Sequence, residues 1–291
     1  MDKWIKCISI GGTMVATAIT APDLIEDARK RHKLSSAETK GLGEALMASL
    51  LLASTCKAGE RVSLSIKGDK FFRQAIADAT PEGKVRGFVI AKELESDIDT
   101  SMGPWQNGLL SVVRLKLNEK EPYVGTVPIV TGYLAKDLTF YLTQSEQIPS
   151  AVGLAVNLGK NRSVVSAGAF LVQVLPGASK KEIESLENNI NQLEGLAARL
   201  AKDSDPTRLL AQIFSDAAFT ILDERPLAFE CTCSRDRVSG ALKLLGKAEI
   251  EDMIAKDHGA DVNCDFCGTC YSYSEGELAA LLQATSSTAK R

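Results

Sequence analysis

Strand-period and helix-period patterns take turns along the chain from its start to about position 175. Residues 5–19 are apolar and β-branched around Gly11-Gly12, which predicts a hairpin turning at the two glycines. After Pro22 the charge-rich stretch 23–32 predicts a helix, and a second begins at Ser35. There Ser35-x-x-Glu38 has the form of a capping box, in which the Ser oxygen and the Glu carboxylate each satisfy a free N–H of the first turn. Leu42, Leu46, Ser49, Leu50 and Ala53 leave this helix apolar or small nearly all round, so it is expected in the core. Strand signals follow at Val62, Leu64 and Ile66, and at 85–90, 109–115 and 123–130. Leu134, Leu138, Tyr141 and Leu142 restore helical spacing, and 151–158 and 164–175 read as further strands ending at Pro176-Gly177. Strands separated by a few buried helices predict an α+β domain built on large sheets.

Beyond Gly177 the pattern changes. Ile183, Leu186, Ile190, Leu193 and Ala197 form a narrow apolar stripe on a helix whose other face is rich in Glu, Asn and Gln. Such a helix has marginal stability alone and needs a partner surface. Asp205-Pro206 breaks it, positions 209–222 read as another helical segment, and Arg225-Pro226 precedes a cysteine-bearing tail. Positions 286–291 read as a frayed end. No internal repeat is found.

Composition adds exclusions. The 291 residues, 45% hydrophobic and 24% charged, are those of an ordinary folded protein. A net charge of −3 gives no general attraction to nucleic acid or to a membrane surface, and the longest apolar run, 45–53, is too short to span a bilayer. The start, Met1-Asp2-Lys3-Trp4-Ile5-Lys6, lacks the pattern of a secretory signal, so a cytoplasmic location is expected. In that reducing compartment the cysteines stand out: five of the seven, Cys231, Cys233, Cys264, Cys267 and Cys270, crowd into the tail between Cys231 and Arg291. A cluster of this kind reads as a metal site or a redox device rather than as structural disulfides.

Cys231-x-Cys233 and Cys264-x-x-Cys267 are separated by the segment 234–263. A C-x-x-C knuckle turns both sulfurs to one point, and Gly268 supplies the permissive backbone such a turn often needs. Four thiolates suit one tetrahedral zinc ion. The tail from Cys231 has seven basic and nine acidic residues, the opposite of what a phosphate-gripping ribbon requires. With few aromatics beyond Phe266, Tyr271 and Tyr273, and one modest helix at Ile250, Met253 and Ile254, the tail is expected to unfold without metal. Oxidation of the thiolates would then form disulfides, eject the ion and release the adjoining helices, exposing apolar surface that binds unfolded polypeptides.

At these residues the chain resembles the redox-regulated heat shock protein 33 family, a family of chaperonins. The resemblance runs the whole length. It rests on Cys231-x-Cys233, on Val262-Asn263-Cys264-Asp265-Phe266-Cys267-Gly268 with an aromatic-rich strand after it, and on three runs in the first domain. These are Tyr123-Val124-Gly125-Thr126-Val127-Pro128, the stretch 141–150, and Ala167-Gly168-Ala169-Phe170-Leu171-Val172-Gln173. The resemblance implies an ATP-independent holdase that is no enzyme and uses no nucleotide. It is inactive while reduced, with one zinc on Cys231, Cys233, Cys264 and Cys267. On oxidation Cys231 pairs with Cys233 and Cys264 with Cys267, the tail and linker unfold, and the protein becomes a homodimer that holds unfolded or misfolded clients. The expected layout is an α+β substrate-binding core over 1–178, a metastable helical linker over 179–228 and a small zinc redox-switch domain over 229–291.

Cys270 departs from the family pattern and reads as a bystander thiol, or else as a thiol that exchanges as a ligand or captures Cys267 in a disulfide, which leaves the pairing of the second disulfide open. Cys7 and Cys56 read as buried structural thiols. His258 reads as a loop histidine beside a tetrahedron already filled by sulfur, and His32 as a surface or capping group. There is no phosphate-binding Gly-x-x-x-x-Gly-Lys run, so nucleotide hydrolysis is not expected. The competing readings are a thiol-disulfide oxidoreductase using Cys264-x-x-Cys267, which lacks a thioredoxin-like context, and a zinc-ribbon RNA binder, which the acidic tail opposes.

Overall fold

In the computed structural model, residues 1–92, 103–117, 119, 121–193, 195–215 and 218–288 are described. They fall into two compact units, Met1–Glu230 and Cys231–Arg291.

The first unit opens with the expected hairpin, β1 (Lys3–Ser9) and β2 (Met14–Thr20), closed by a bond from Gly12 N–H to the Ser9 carbonyl. Helix α1 (Pro22–His32) follows, with Pro22 at its first position and the Asp2 carboxylate accepting the free N–H groups of Asp23 and Leu24. Helix α2 (Ser36–Ala53) begins in the predicted capping box: Glu38 N–H donates to Ser35 Oγ at 3.3 Å, and Ser35 N–H to Glu38 Oε2 at 2.9 Å. Then come β3 (Arg61–Lys67), β4 (Phe72–Ala79), β5 (Lys84–Ala91), β6 (Leu109–Leu115), β7 (Tyr123–Pro128), α3 (Leu134–Gln144), β8 (Ser150–Leu158) and β9 (Val164–Val174). Strand β4 has no counterpart in the sequence reading, because alternating Ala75, Ala77 and Ala79 carry its buried face with little hydrophobic contrast.

Helices α4 (Lys180–Gln192), α5 (Leu196–Lys202) and α6 (Pro206–Phe214) belong to this same unit. The helix expected over 209–222 ends at Phe214, and the chain returns as strand β10 (Phe219–Pro226) and the two-residue β11 (Ala228–Phe229).

The strands form a five-stranded sheet, in the order β10-β1-β2-β9-β8, and a six-stranded sheet, in the order β11-β5-β4-β3-β6-β7. Helix α2 packs on strands of both, which is why its leucines and small residues are buried on every side. Its C-terminal carbonyls are met by cations from both sheets: Lys6 Nζ donates to the Ser54 carbonyl at 2.7 Å and Arg114 Nη1 to that of Leu52 at 3.4 Å. The other face of the five-stranded sheet carries Ile5, Cys7, Met14, Ala16, Phe170 and Val172. This face is covered by Leu186 of α4 and by Leu209, Leu210, Ile213 and Phe214 of α6. The narrow stripe of α4 has found its partner surface there.

The second unit contains α7 (Arg235–Leu245), α8 (Lys247–Asp257), β12 (Gly259–Asn263), β13 (Cys270–Ser274) and α9 (Glu275–Thr288). Of the end expected to fray, 286–288 continue α9, and 289–291 lie outside the described residues. The unit's hydrophobic core is Leu242, Ile250, Tyr273 and Leu278, with a partly buried fringe. Among the described residues no helix is long and apolar enough to cross a membrane.

Candidate metal centre

Strands β12 and β13 pair antiparallel from Gly259 opposite Ser274 to Asn263 opposite Cys270, so residues 264–269 form the loop that closes the hairpin. Local backbone bonds shape that loop into the predicted knuckle. Cys267 N–H and Gly268 N–H both donate to the Cys264 carbonyl, at 3.2 and 2.8 Å, and Cys264 N–H donates to the Thr269 carbonyl at 2.9 Å. Gly268 has φ 71°, in the left-handed region that a side chain would strain.

The other half of the centre sits in irregular chain. Cys233 directly precedes Ser234, whose Oγ accepts Arg237 N–H and starts α7. Helix α7 is tied to the hairpin by Tyr273, whose hydroxyl donates to the Arg235 carbonyl at 3.0 Å while the Arg235 guanidinium stacks 4.3 Å over its ring.

These elements bring the four sulfurs of Cys231, Cys233, Cys264 and Cys267 within 4.8 Å of one another. Cys231 lies 3.8 Å from Cys264, and Cys233 lies 3.4 Å from Cys267. Four sulfurs placed about 2.3 Å from one ion stand about 3.8 Å apart, so this donor set has the size and chemistry of a tetrahedral zinc site. None of the pairs is at the bonding distance of a disulfide, about 2.05 Å, and the seven cysteines form no disulfide.

The sulfurs compete for negative charge. Burial pushes the Cys264 thiol up to about 12. The same desolvation acts on Cys267, but the Thr269 hydroxyl and amide, with the neighbouring thiols, outweigh it and bring that group down to about 7. Tyr271 donates its hydroxyl to Cys233 at 3.1 Å, a bond that pushes the phenol up to about 12. Tyr271 and Thr269 are contributors the sequence reading did not single out. The signal for Thr269 was its place two residues after a knuckle cysteine, where its backbone amide and hydroxyl both meet the sulfur. For Tyr271 no spacing rule pointed to Cys233.

Cys270 is exposed at the start of β13 and lies outside the four-sulfur group. His258 caps α8 and places Nδ1 2.5 Å from Glu275 Oε1, away from the sulfurs. In the first unit Cys7 is fully buried, and desolvation pushes it up to about 12. Cys56 is half-buried and also raised by burial, with Arg114 Nη1 3.3 Å from its sulfur.

A fold of two sheets over a buried helix, followed by a small four-cysteine module, is the fold of a known chaperone. The crystal structure of the 33 kDa chaperonin (heat shock protein 33 homolog) of Thermotoga maritima superposes with a TM-score of 0.90 at 32% identity, over 98% of this chain and 99% of that one. The 33 kDa chaperonin of Streptococcus pyogenes serotype M12 is 36% identical over 97% of this chain and 99% of its own length, and that of serotype M3 has the same identity and coverage. The family described as Hsp33 protein matches residues 2–274. The chain belongs to the Hsp33 family, a family of chaperones.

Proposed function

We propose that this protein is an ATP-independent holdase of the cytoplasm, switched by oxidation of its C-terminal cysteines. Its clients are unfolding proteins, and neither nucleic acid nor membrane is a partner. The observation that carries the reading is the gathering of four sulfurs within 4.8 Å in a unit whose core is four buried side chains. A zinc ion bound there would supply about 10–16 kcal/mol of folding free energy, comparable with the whole stability of an ordinary domain. Cys231, Cys233, Cys264 and Cys267 are its proposed ligands, and residues 229–291 the switch they hold folded.

Peroxide acts on these thiols in two balanced steps. One sulfur is oxidised to a sulfenic acid as peroxide is reduced to water, and a second thiol displaces that hydroxyl as a further water, leaving a disulfide. Following the family resemblance, Cys231 pairs with Cys233 and Cys264 with Cys267. Sulfurs bonded to each other no longer hold the metal, and the switch unfolds. Residues 179–228 are the proposed linker: their helices rest on the five-stranded sheet through the few apolar residues of α4 and α6. Their release uncovers the apolar face that binds clients, and the oxidised protein dimerises.

The test follows zinc release, free thiols and suppression of client aggregation together as the reduced protein is treated with peroxide. Protection is expected only after oxidation, in step with zinc release. Equal protection by reduced and oxidised protein, or metal retained after oxidation, overturns the switch. Peptide mapping decides the pairing: a Cys231–Cys264 or Cys233–Cys267 link would replace the one proposed. Cys270→Ser is expected to leave zinc content and activation unchanged, consistent with its place outside the sulfur group.

A further inference from the structure

The edge of the five-stranded sheet is closed by β10, part of the linker that the holdase reading releases. It pairs antiparallel with β1, from Lys3 opposite Pro226 to Ser9 opposite Phe219. Two bonds at the ends of the ladder show which backbone groups face it: Leu227 N–H donates to the Asp2 carbonyl and Ile10 N–H to the Ala218 carbonyl, each at 3.0 Å. By strand alternation Trp4, Lys6 and Ile8 turn their N–H and C=O groups toward β10, while Ile5 and Cys7 turn theirs toward β2. Pro226, which has no N–H, lies opposite Lys3, where none is needed.

Apart from Phe219, whose ring lies 5.5 Å from that of Phe214 at the margin of the apolar face, the side chains of β10 contribute little to this pairing. Phe219 and Asp223 are half-buried, the rest of the strand is exposed, and Leu222 is skipped where the register shifts opposite Lys6 and Cys7. The cross-strand ion pair of Lys3 with Glu224, 2.7 Å long, is exposed and so worth little. From Thr220 to Pro226 what holds β10 is therefore mainly its backbone, and a strand held that way makes little demand on sequence.

We propose that the β1 edge vacated by β10 captures an extended segment of an unfolded polypeptide as a replacement edge strand. The inference rests on the holdase reading. The choice of occupant comes from β10 itself, since any unfolded chain offers the same N–H and C=O groups at the same spacing. An edge that reads backbone and not side chains suits clients of unrelated sequence. Beside it lies the face that α6 covers while β10 is in place, with Ile5 and Cys7 of β1 placed to meet alternate apolar side chains of the incoming strand.

Residue-resolved hydrogen exchange on the full-length protein tests this, in the reduced zinc-loaded form, the oxidised form, and the oxidised form with reduced carboxymethylated α-lactalbumin, a chain that cannot fold. On oxidation the Trp4, Lys6 and Ile8 amides are expected to lose roughly hundredfold or more in protection, and to regain at least about tenfold when the client is bound. The Ile5 and Cys7 amides should stay protected throughout, showing that β1 itself remains in the sheet. The proposal is overturned if the outward amides stay protected on oxidation, or if they exchange freely while client is bound. Recovery of protection on raising protein concentration without client also overturns it, because the edge then belongs to a second copy of this chain. Co-sedimentation of client in the same samples separates the two readings: no bound client removes the holdase reading and this proposal with it, whereas bound client with an open β1 edge removes this proposal alone.

Discussion

The two compact units meet the same cost, the conformational entropy lost on folding, by different means. Met1–Glu230 closes two sheets over α2 and buries leucines from Leu42 to Leu52 on every side of that helix. Cys231–Arg291 buries Leu242, Ile250, Tyr273 and Leu278 beside a hairpin of two short strands. A chain of that length falls in the size range where apolar burial alone rarely suffices and a staple is needed. Stability spread over many apolar contacts is lost in small steps. In the switch proposed above, stability concentrated in four sulfurs would be lost at once to a single chemical event, which would make the smaller unit the better sensor.

The largest test of this contrast is removal of the metal. A chelator at neutral pH is expected to abolish exchange protection across β12 and β13 while the amides of α2 stay protected. A hairpin that stays protected without metal would break the comparison. Next in size, Leu50→Ala removes a fully buried side chain of α2 and should cost about 2–5 kcal/mol in the stability of the first unit, read from its denaturant midpoint, with zinc content unchanged. A change in zinc content would show that the two units are not stabilised independently.

The first unit also carries a pH dependence of its own. Glu44 lies on α2, and burial raises its carboxyl from an ordinary 4.5 to about 7. The folded chain therefore holds this proton where the unfolded chain has released it. Stability is full below about pH 4.5, falls as pH rises toward 7 and is level above. Glu44→Gln should remove that slope and gain on the order of 2 kcal/mol at pH 8, read from urea melts across the pH range. An unchanged slope would place the titration elsewhere. The smallest effect is expected from Tyr271→Phe, which deletes the hydroxyl donated to Cys233. Metal affinity in chelator competition should fall about tenfold, within the range for outer-shell partners of a metal ligand, and equal affinity would show that the C-x-C half is held without it.

Much of this architecture is legible in the sequence because it is local. The Ser35 and Glu38 pair, the Gly11-Gly12 turn and the knuckle at Cys264 each need only a few neighbouring residues, and each forms as read. The segment 209–222 is equally instructive for departing from its expected helix. Leu209, Leu210, Ile213 and Phe214 do make a helical face, but Ile221 and Leu222 are exposed, and their strand exists because β1, at the far end of the same unit's sequence, offers an edge. Strand β4 escapes a linear reading for a related reason: its alanines become a buried face only once α2 and the neighbouring strands cover them.

What a linear reading reaches is local: four thiols in two short motifs, one with the glycine its turn requires, in a tail poor in apolar residues. Donor chemistry and turn geometry are properties of adjacent residues, so a linear reading reaches them. Long-range packing is what sets Cys231 opposite Cys264 and Cys233 opposite Cys267, brings Tyr271 to a sulfur and closes the β1 edge with β10. Those pairings join segments distant along the chain, and their free energy comes from packing and backbone partners that exist only once both segments are in place.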